Sequence, residues 1–419
     1  MKYIKSVLVV LSFLAILTQC GKVWDLINSN SGSLANNANA TLVIGQSNFQ
    51  TVSSVTAASG LNFPNGIYFD NIRLLIADSG SHRVLIYNFF PLNSGTNANV
   101  VVGQTGFTTN GSNANGTTVV ANGLSFLNNQ SHVGIFSDGT KLYVPDTANN
   151  RVLIWNTIPT TSGSNASVVV GQPNLTTNTA NNKRSTSPAT DLADNASLNQ
   201  PTAVFVDPTN GKMFIVDSGN HRILVFNSVP TSNHAQANNV VGQTNFKTIA
   251  ANHGGQLNTN GSQSFNTPTG LWITSNYLLV ADSGNNRVLV FNSKVSGNDP
   301  GALSVIGQTS FTAIASGSTQ ATLNNPVSVS SNGSTNNVIV ADKGNNRVLL
   351  YNVIPTTAVA AGPNASVVLG QTNFTNNQAN QAKIPANNTL NSPGGVYLNP
   401  SHLLIADSVN NRILRFEDR

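Results

Sequence analysis

Charge is scarce in this chain of 419 residues: only 8% are Asp, Glu, Lys or Arg, and Glu417 is the one glutamate. So few ionic groups leave little material for acid–base chemistry. Cysteine occurs once, at Cys20, so no internal disulfide can form whatever the redox state, and no zinc cluster can be built on several thiolates. Over no useful length do apolar residues recur at i, i+3 and i+4, so amphipathic helices are not expected. There is no Gly-x-Ser-x-Gly elbow and no Ser with an acid and a base nearby, so an acyl-enzyme has no signature. The six histidines, His82, His132, His221, His234, His253 and His402, show no close ligand spacing. Net charge is +5, and setting aside Lys2 and Lys5 lowers it to +3. A surplus this thin and scattered does not make a nucleic-acid footprint.

What is present is repetition. Six segments read almost alike: ADSGSHRVLIYN at 77, PDTANNRVLIWN at 145, VDSGNHRILVFN at 216, ADSGNNRVLVFN at 281, ADKGNNRVLLYN at 341 and ADSVNNRILRFE at 406. Each carries an Asp followed five residues later by an Arg, giving the pairs Asp78/Arg83, Asp146/Arg151, Asp217/Arg222, Asp282/Arg287, Asp342/Arg347 and Asp407/Arg412. The steps between successive Asp residues are 68, 71, 65, 60 and 65, which marks a repeat array. A second phrase places two branched residues before Gly-Gln, as in VIGQSNF at 43 and VVGQTNF at 240. A third, such as LNFPNGIYF at 61 and LNQPTAVFV at 198, precedes the Asp and has drifted in the second unit to NNQSHVGIF at 128.

Each unit thus holds four short apolar runs rich in Val, Ile, Leu, Phe and Tyr, separated by turn residues, and such runs read as strands. Four short antiparallel strands in about 60 residues make one propeller blade. The fold class predicted is all-β, a six-bladed β-propeller of four-stranded antiparallel blades. The chain opens with a Gly-Gln strand, Thr41 to Phe49, before any innermost-strand phrase, and ends at Ile413 to Glu417 with no such strand after it. The orphan strand at the start is expected to complete the last blade, with Leu42 to Gln46 pairing beside Ile413 and Phe416. This would close the ring and remove two sheet edges.

The run Asp217-Ser218-Gly219-Asn220-His221-Arg222-Ile223-Leu224-Val225-Phe226 resembles the core of an NHL repeat, and the resemblance extends in six phased copies over residues 41–419. It implies a scaffold used by recognition modules, by sensor domains and by a few lyases or lactonase-like enzymes. The scaffold alone therefore does not decide an activity.

A four-residue turn sets each Asp opposite its Arg across a hairpin. The Gly at positions 80, 219, 284 and 344 suits a positive φ in that turn. Exposed pairs of this kind are worth roughly 0–1 kcal/mol, so their expected role is to fix hairpin register. An anion-binding crown of six arginines is the competing functional reading. His82 and His221 occupy a turn position filled elsewhere by Asn. The Gly of Gly-Gln allows close backbone approach, with the Gln bonding a neighbouring strand. Asp207-Pro208-Thr209-Asn210-Gly211 and Asp138-Gly139 are hairpin turns by composition, with calcium loops as the alternative.

The leader is the second strong signal. Lys2 and Lys5 precede an apolar run from Ser6 to Leu17, too short to span a bilayer and of secretory proportions. Leu17-Thr18-Gln19-Cys20 resembles the lipobox of bacterial lipoproteins, with Gln19 departing from its usual small residue. The expected organisation is a signal peptide over 1–19, a lipidated Cys20 with a flexible tether over 20–40, and the propeller over 41–419. A triacyl anchor is ample for stable membrane association. The location expected is the cell envelope, periplasmic or surface-exposed.

Strand alternation puts the Asp…Arg turns at the same rim as the long links between blades, such as Thr105 to Asn128 and Thr244 to Thr267. Polar links above 20 residues tend to be functional or mobile. The function expected is therefore a membrane-anchored binding module, using that rim to hold a protein or glycan partner in the envelope or outside the cell. No cofactor, no nucleic acid and a monomeric state are expected. The alternative is a metal-dependent lyase or lactonase-like hydrolase with its site in the axial channel.

Overall fold

The computed structural model of the protein describes residues 34–127, 132–182, 193–256, 261–333, 335–356 and 362–417. Cys20, the leader and most of the expected tether lie outside the described residues. Blade one shows the pattern that the others repeat. It consists of β2 (Pro64–Phe69), β3 (Leu74–Asp78), β4 (Arg83–Tyr87) and β5 (Val100–Val102), running antiparallel from the axis outward. Blades two to five follow at 136–170, 201–241, 268–306 and 326–369. Helical structure among the described residues is limited to single short turns.

Neighbouring blades cover both faces of each sheet, which is why the strands read as unbroken apolar runs and not as alternations. All five residues of β3 and all five of β4 are buried. Each buried Val, Leu or Ile contributes roughly 1.5–3 kcal/mol of transfer free energy. Leu85 and Val101 of blade one meet Leu42, Ile44, Leu404 and Ile413 of blade six in one core cluster.

The ring closes as the order of phrases predicts. Blade six has the order β1 (Leu42–Ile44), β24 (Arg412–Phe416), β23 (His402–Asp407), β22 (Pro393–Asn399). Leu42, Val43 and Ile44 face Arg415, Leu414 and Ile413. Residues before β1 continue this attachment. Asn37 N–H donates to Val368 O and Ala40 N–H to Asn387 O, both at 2.8 Å, so Leu34 to Ala40 lie against blades five and six.

The innermost strands meet at the axis. Gly134 N–H donates to Thr202 O at 2.8 Å and Val204 N–H to Gly134 O at 3.0 Å, linking blades two and three. A Cβ on Gly66 would stand 1.8 Å from Val133 O, so glycine there is imposed by close backbone approach.

Candidate ligand site on the propeller axis

The Asp…Arg pairs are the first sequence-derived candidates, and the structure corrects the expectation that they are exposed. The six pairs Asp78/Arg83, Asp146/Arg151, Asp217/Arg222, Asp282/Arg287, Asp342/Arg347 and Asp407/Arg412 do face each other across their hairpins, but all twelve side chains are fully buried. Each Arg Nε donates to its Asp Oδ2 at 2.6–2.7 Å. The links between blades cover them, because the rest of each guanidinium is consumed by link carbonyls.

In blade one, Arg83 Nη1 donates to Phe107 O at 2.6 Å and Nη2 to Ala57 O and Gly60 O at 3.0 and 3.1 Å. Arg151 of blade two repeats this, with Nη1 on Leu175 O at 2.5 Å and Nη2 on Val120 O and Gly123 O at 2.9 and 3.0 Å. Arg222 and Arg287 reach Phe246 and Phe311 with Nη1, and Ser197 and Ser264 with Nη2. In blade five, Arg347 Nη1 donates to Phe374 O, and Nη2 to Thr319 O and Thr322 O at 3.0 and 2.9 Å. Arg412 closes the series on Phe49, Ala386 and Thr389.

The acceptors of Nη1 are thus Phe49, Phe107, Leu175, Phe246, Phe311 and Phe374, the residues that end the Gly-Gln phrases. Each arginine staples its own hairpin to the links entering and leaving its blade, which is more than fixing register. The arginine crown is also corrected: Arg83, Arg151, Arg222, Arg287, Arg347 and Arg412 have no exposed surface to offer an anion.

Burial pushes the carboxyls of Asp78, Asp217, Asp282, Asp342 and Asp407 upward, while the adjoining guanidiniums and donated hydrogen bonds pull them back. One of those bonds recurs in every blade: Asp Oδ1 accepts the backbone N–H of Asn62, Ser125, Asn199, Asn266, Asn324 or Asn391 at 2.5–2.7 Å.

The Gly expected to carry a positive φ in these turns does not. The left-handed residue is the one before the Arg: His82, Asn150, His221, Asn286, Asn346 and Asn411, with φ of 47–54°. Gly80, Gly219, Gly284 and Gly344 are instead places of close approach, where a Cβ would meet an Asn side chain at 2.6–2.7 Å. The histidines do the work of Asn, as expected. His82 Nδ1 accepts Phe126 N–H at 2.9 Å and His221 Nδ1 accepts Thr267 N–H at 2.8 Å.

The Gly-Gln phrase is structural too. Gly307 has φ +88°, and a Cβ on it would lie 2.3 Å from Leu323 Cδ1. Gln308 Nε2 donates to Asn286 O at 2.9 Å and Ala315 O at 2.8 Å, tying the turn of one strand to the link seven residues on. The hairpin turns at 138 and 207 are held by their own carboxylates. Asp138 Oδ1 accepts Thr140 and Lys141 N–H, and Asp207 Oδ1 accepts Thr209 N–H.

The axis is packed with aliphatic side chains, one per blade: Ile67, Ile135, Val204, Leu271, Val329 and Val396, each 2–6% exposed. They leave a void of about 20 Å³, on the scale of one water. His132 takes the place that Pro holds in the other innermost strands. Its Nδ1 lies 3.0 Å from Asn65 O and 2.9 Å from Gly394 O, and burial lowers its pKa to about 4. Among the described residues, no three His, Cys, Asp or Glu side chains gather into a cluster able to hold a metal.

One residue further along the same strands stands a second tier: Tyr68, Phe136, Phe205, Trp272 and Tyr397, with Ser330 in blade five. Successive ring centroids lie 4.9 Å apart for Tyr68–Phe136, 4.4 Å for Phe136–Phe205, 5.1 Å for Phe205–Trp272, 5.7 Å for Trp272–Tyr397 and 5.5 Å for Tyr397–Tyr68. Aromatic rings at these spacings, tilted or edge-to-face, gain about 0.5–1.5 kcal/mol per pair beyond burial. The circuit forms a floor across the axis.

Above that floor, at the rim opposite the Asp…Arg turns, is a basin of about 420 Å³. Its wall is Asn, Ser and Thr from the innermost hairpin turns, including Asn71, Thr209, Thr274, Ser275, Asn332 and Asn399, and its lining contains no carboxylate, amine, guanidinium or imidazole. Tyr397 Oη donates to Phe69 O at 2.6 Å, fixing one ring of the floor. Tyr68 Oη and Trp272 Nε1, on half-buried rings, make no hydrogen bond to the described residues, while Ser331 Oγ is unpartnered but sealed from solvent. Burial raises the Tyr68 hydroxyl well above its usual value, so it stays protonated. A second opening of about 440 Å³, between the first link and Gly95, has no aromatic ring in its lining. The basin was not singled out in the sequence, although its floor occupies one fixed place, four residues after the Pro of the third phrase.

Comparison with known proteins bears out the repeat. Residues 323–350, which hold most of blade five, match the model of the NHL repeat. No curated protein matches the chain by sequence. A structural genomics protein of unknown function from Bacteroides thetaiotaomicron VPI-5482 is similar in structure at 13% identity and a TM-score of 0.46, over 91% of this chain and 76% of that one. A streptogramin B lyase is similar at 11% identity and a TM-score of 0.41, over 88% of this chain and 96% of that one. A virginiamycin B lyase from Staphylococcus aureus is similar at 10% identity and a TM-score of 0.39, over 87% and 97%.

Proposed function

We infer that this six-bladed propeller, which carries an NHL repeat, is a binding module whose ligand seat is the axial basin at the hairpin rim. The observation that carries the reading is the basin itself: an aromatic floor beneath a polar wall, with donors left open at Tyr68 and Trp272. Concave sites with apolar lining and a few convergent polar groups are where ligands bind, in volumes of roughly 300–1,000 Å³. The long links favoured by the sequence are less suited to the task, because Arg and Gln side chains tie them down as straps.

Display outside the cytoplasm from a lipid on Cys20 belongs to the same proposal, supported by the leader and by the solitary thiol. Incorporation of a labelled fatty acid into the full chain, lost in Cys20→Ser, tests the anchor. Capture from native envelopes tests the seat. Ser275→Arg, at an exposed turn on the basin wall, should abolish capture, while Thr244→Arg on an exposed link should leave it intact. The reverse pattern would return recognition to the long-link rim.

A further inference from the structure

Resting on that reading, we propose that the occupant of the basin is a neutral sugar ring of a glycan, stacked on the Trp272 indole. The lining has no carboxylate and no cationic side chain, so an anionic or cationic group would be desolvated there with no counter-charge in contact with it. Asp70 and Asp138, which act on the floor hydroxyls from outside the lining, are engaged by Arg73 and by the turn amides at 140 and 141. The aromatic rings pack against one another at 4.4–5.7 Å between successive centroids, which leaves no box between them for a quaternary ammonium. What the basin offers is an aromatic, apolar surface below, with the Trp272 indole part of it, and hydroxyl and amide groups around it. A pyranose has the complementary form, with C–H faces above and below and hydroxyls at its perimeter.

The open polar atoms fit the same occupant. Tyr68 Oη and Trp272 Nε1, on half-buried rings of the lining, can donate to it. Hydroxyls of a sugar accept from both, and the Asn, Ser and Thr groups of the wall can donate to and accept from the rest. A peptide is less well served. No charged anchor for a peptide terminus or side chain lies in the lining.

The test is titration of the full chain with cellohexaose, maltohexaose, laminarihexaose and chitohexaose, followed by tryptophan emission. Choline chloride and an array of random dodecapeptides serve as the competing classes. The expected result is binding of at least one neutral oligosaccharide, insensitive to added salt. Trp272→Ala and Ser275→Arg should weaken it by roughly tenfold or more, as removal of a central aromatic contact does. Should Trp272→Ala fail to fold, Ser275→Arg, at an exposed turn, carries the test. Sugar binding untouched by Ser275→Arg would place the sugar elsewhere and overturn the proposal. Binding of peptide or choline alone, lost in Ser275→Arg, would overturn the sugar and leave the basin as the seat. No binding of any sugar also overturns it, and envelope capture then decides the basin separately.

Discussion

Asn411 Oδ1 accepts the backbone N–H of Phe63 at 2.7 Å, across 348 residues of chain, and so latches the last blade to the first. The same bond recurs at every blade junction: His82 to Phe126, Asn150 to Gln200, His221 to Thr267, Asn286 to Asn325 and Asn346 to Ser392, at 2.8–2.9 Å. The donor residue sits just before Pro in five of the six, at φ of 50–52°. A left-handed Phe or Thr costs about 1–2 kcal/mol, which the latch must offset.

Asn411→Ala should therefore lower stability by about 2–4 kcal/mol. It strands the Phe63 amide, removes the second bond from Asn411 Nδ2 to Val52 O, and puts Ala in a left-handed conformation. Asn411→His should cost no more than about 1 kcal/mol, since an imidazole already fills this role in two blades. Urea unfolding of the two variants separates these outcomes.

The histidine latches predict a pH dependence. Burial holds the pKa of His82 and His221 below the usual imidazole value, so the unfolded chain binds protons more readily than the fold does. Their contribution is fully present above about pH 6.5 and is lost as the pH falls from there through the folded-state values. A protonated Nδ1 cannot accept an amide. The double variant His82→Asn, His221→Asn should show a shallower fall in unfolding free energy between about pH 7.5 and 5. His132 and His402, each lowered to about 4 chiefly by burial, should preserve a residual slope.

Removing one member of a stapled pair should be severe. Arg287→Met leaves Asp282 buried without its counter-charge and frees the carbonyls of Phe311 and Ser264. A loss of about 3–5 kcal/mol is expected, measured as a shift of the urea midpoint. A loss below about 1 kcal/mol would return these pairs to the class of exposed surface bridges.

Two glycines of blades four and five should answer differently to alanine. Gly307→Ala combines a φ of +88° with a contact at 2.3 Å to Leu323, and overpacking with strain should cost about 2–4 kcal/mol. Gly344→Ala has no positive φ to contend with but meets both the side chain and the carbonyl of Asn324 at 2.6–2.7 Å, whereas Ala148 of blade two stands against the smaller Ser125. A smaller cost of about 1–2 kcal/mol is expected, read from thermal midpoints.

The ring was legible because six copies of one pattern average out local ambiguity, and because the Gly-Gln strand at the start had no partner except the last sheet. The burial of the Asp…Arg pairs was not legible. A hairpin read alone leaves Arg83, Arg151 or Arg347 at its surface, and only links from elsewhere in the ring cover them, such as Ala57 to Gly60 and the Phe107 carbonyl over Arg83. The two loudest phrases were in fact halves of one device, Gln reaching the turn before the Arg and the Arg reaching the carbonyl that ends the Gln phrase. The basin escaped notice because Tyr68, Phe136, Phe205, Trp272 and Tyr397 differ in residue type. What they share is a position, and position acquires meaning only when six strands converge on an axis.

The strand that opens the fold is synthesised before all the others, and the strand it pairs with comes after five whole blades. Thr41 and Arg415 stand 374 residues apart in sequence, and closing so long a span carries an entropic cost that grows with the logarithm of its length. Five sheets can mature in succession during synthesis, while Leu42 to Ile44 waits with its hydrogen-bonding groups unclaimed. A ribosome stalled short of Arg412 would hold an open crescent, prone to borrow its missing strand from a neighbour.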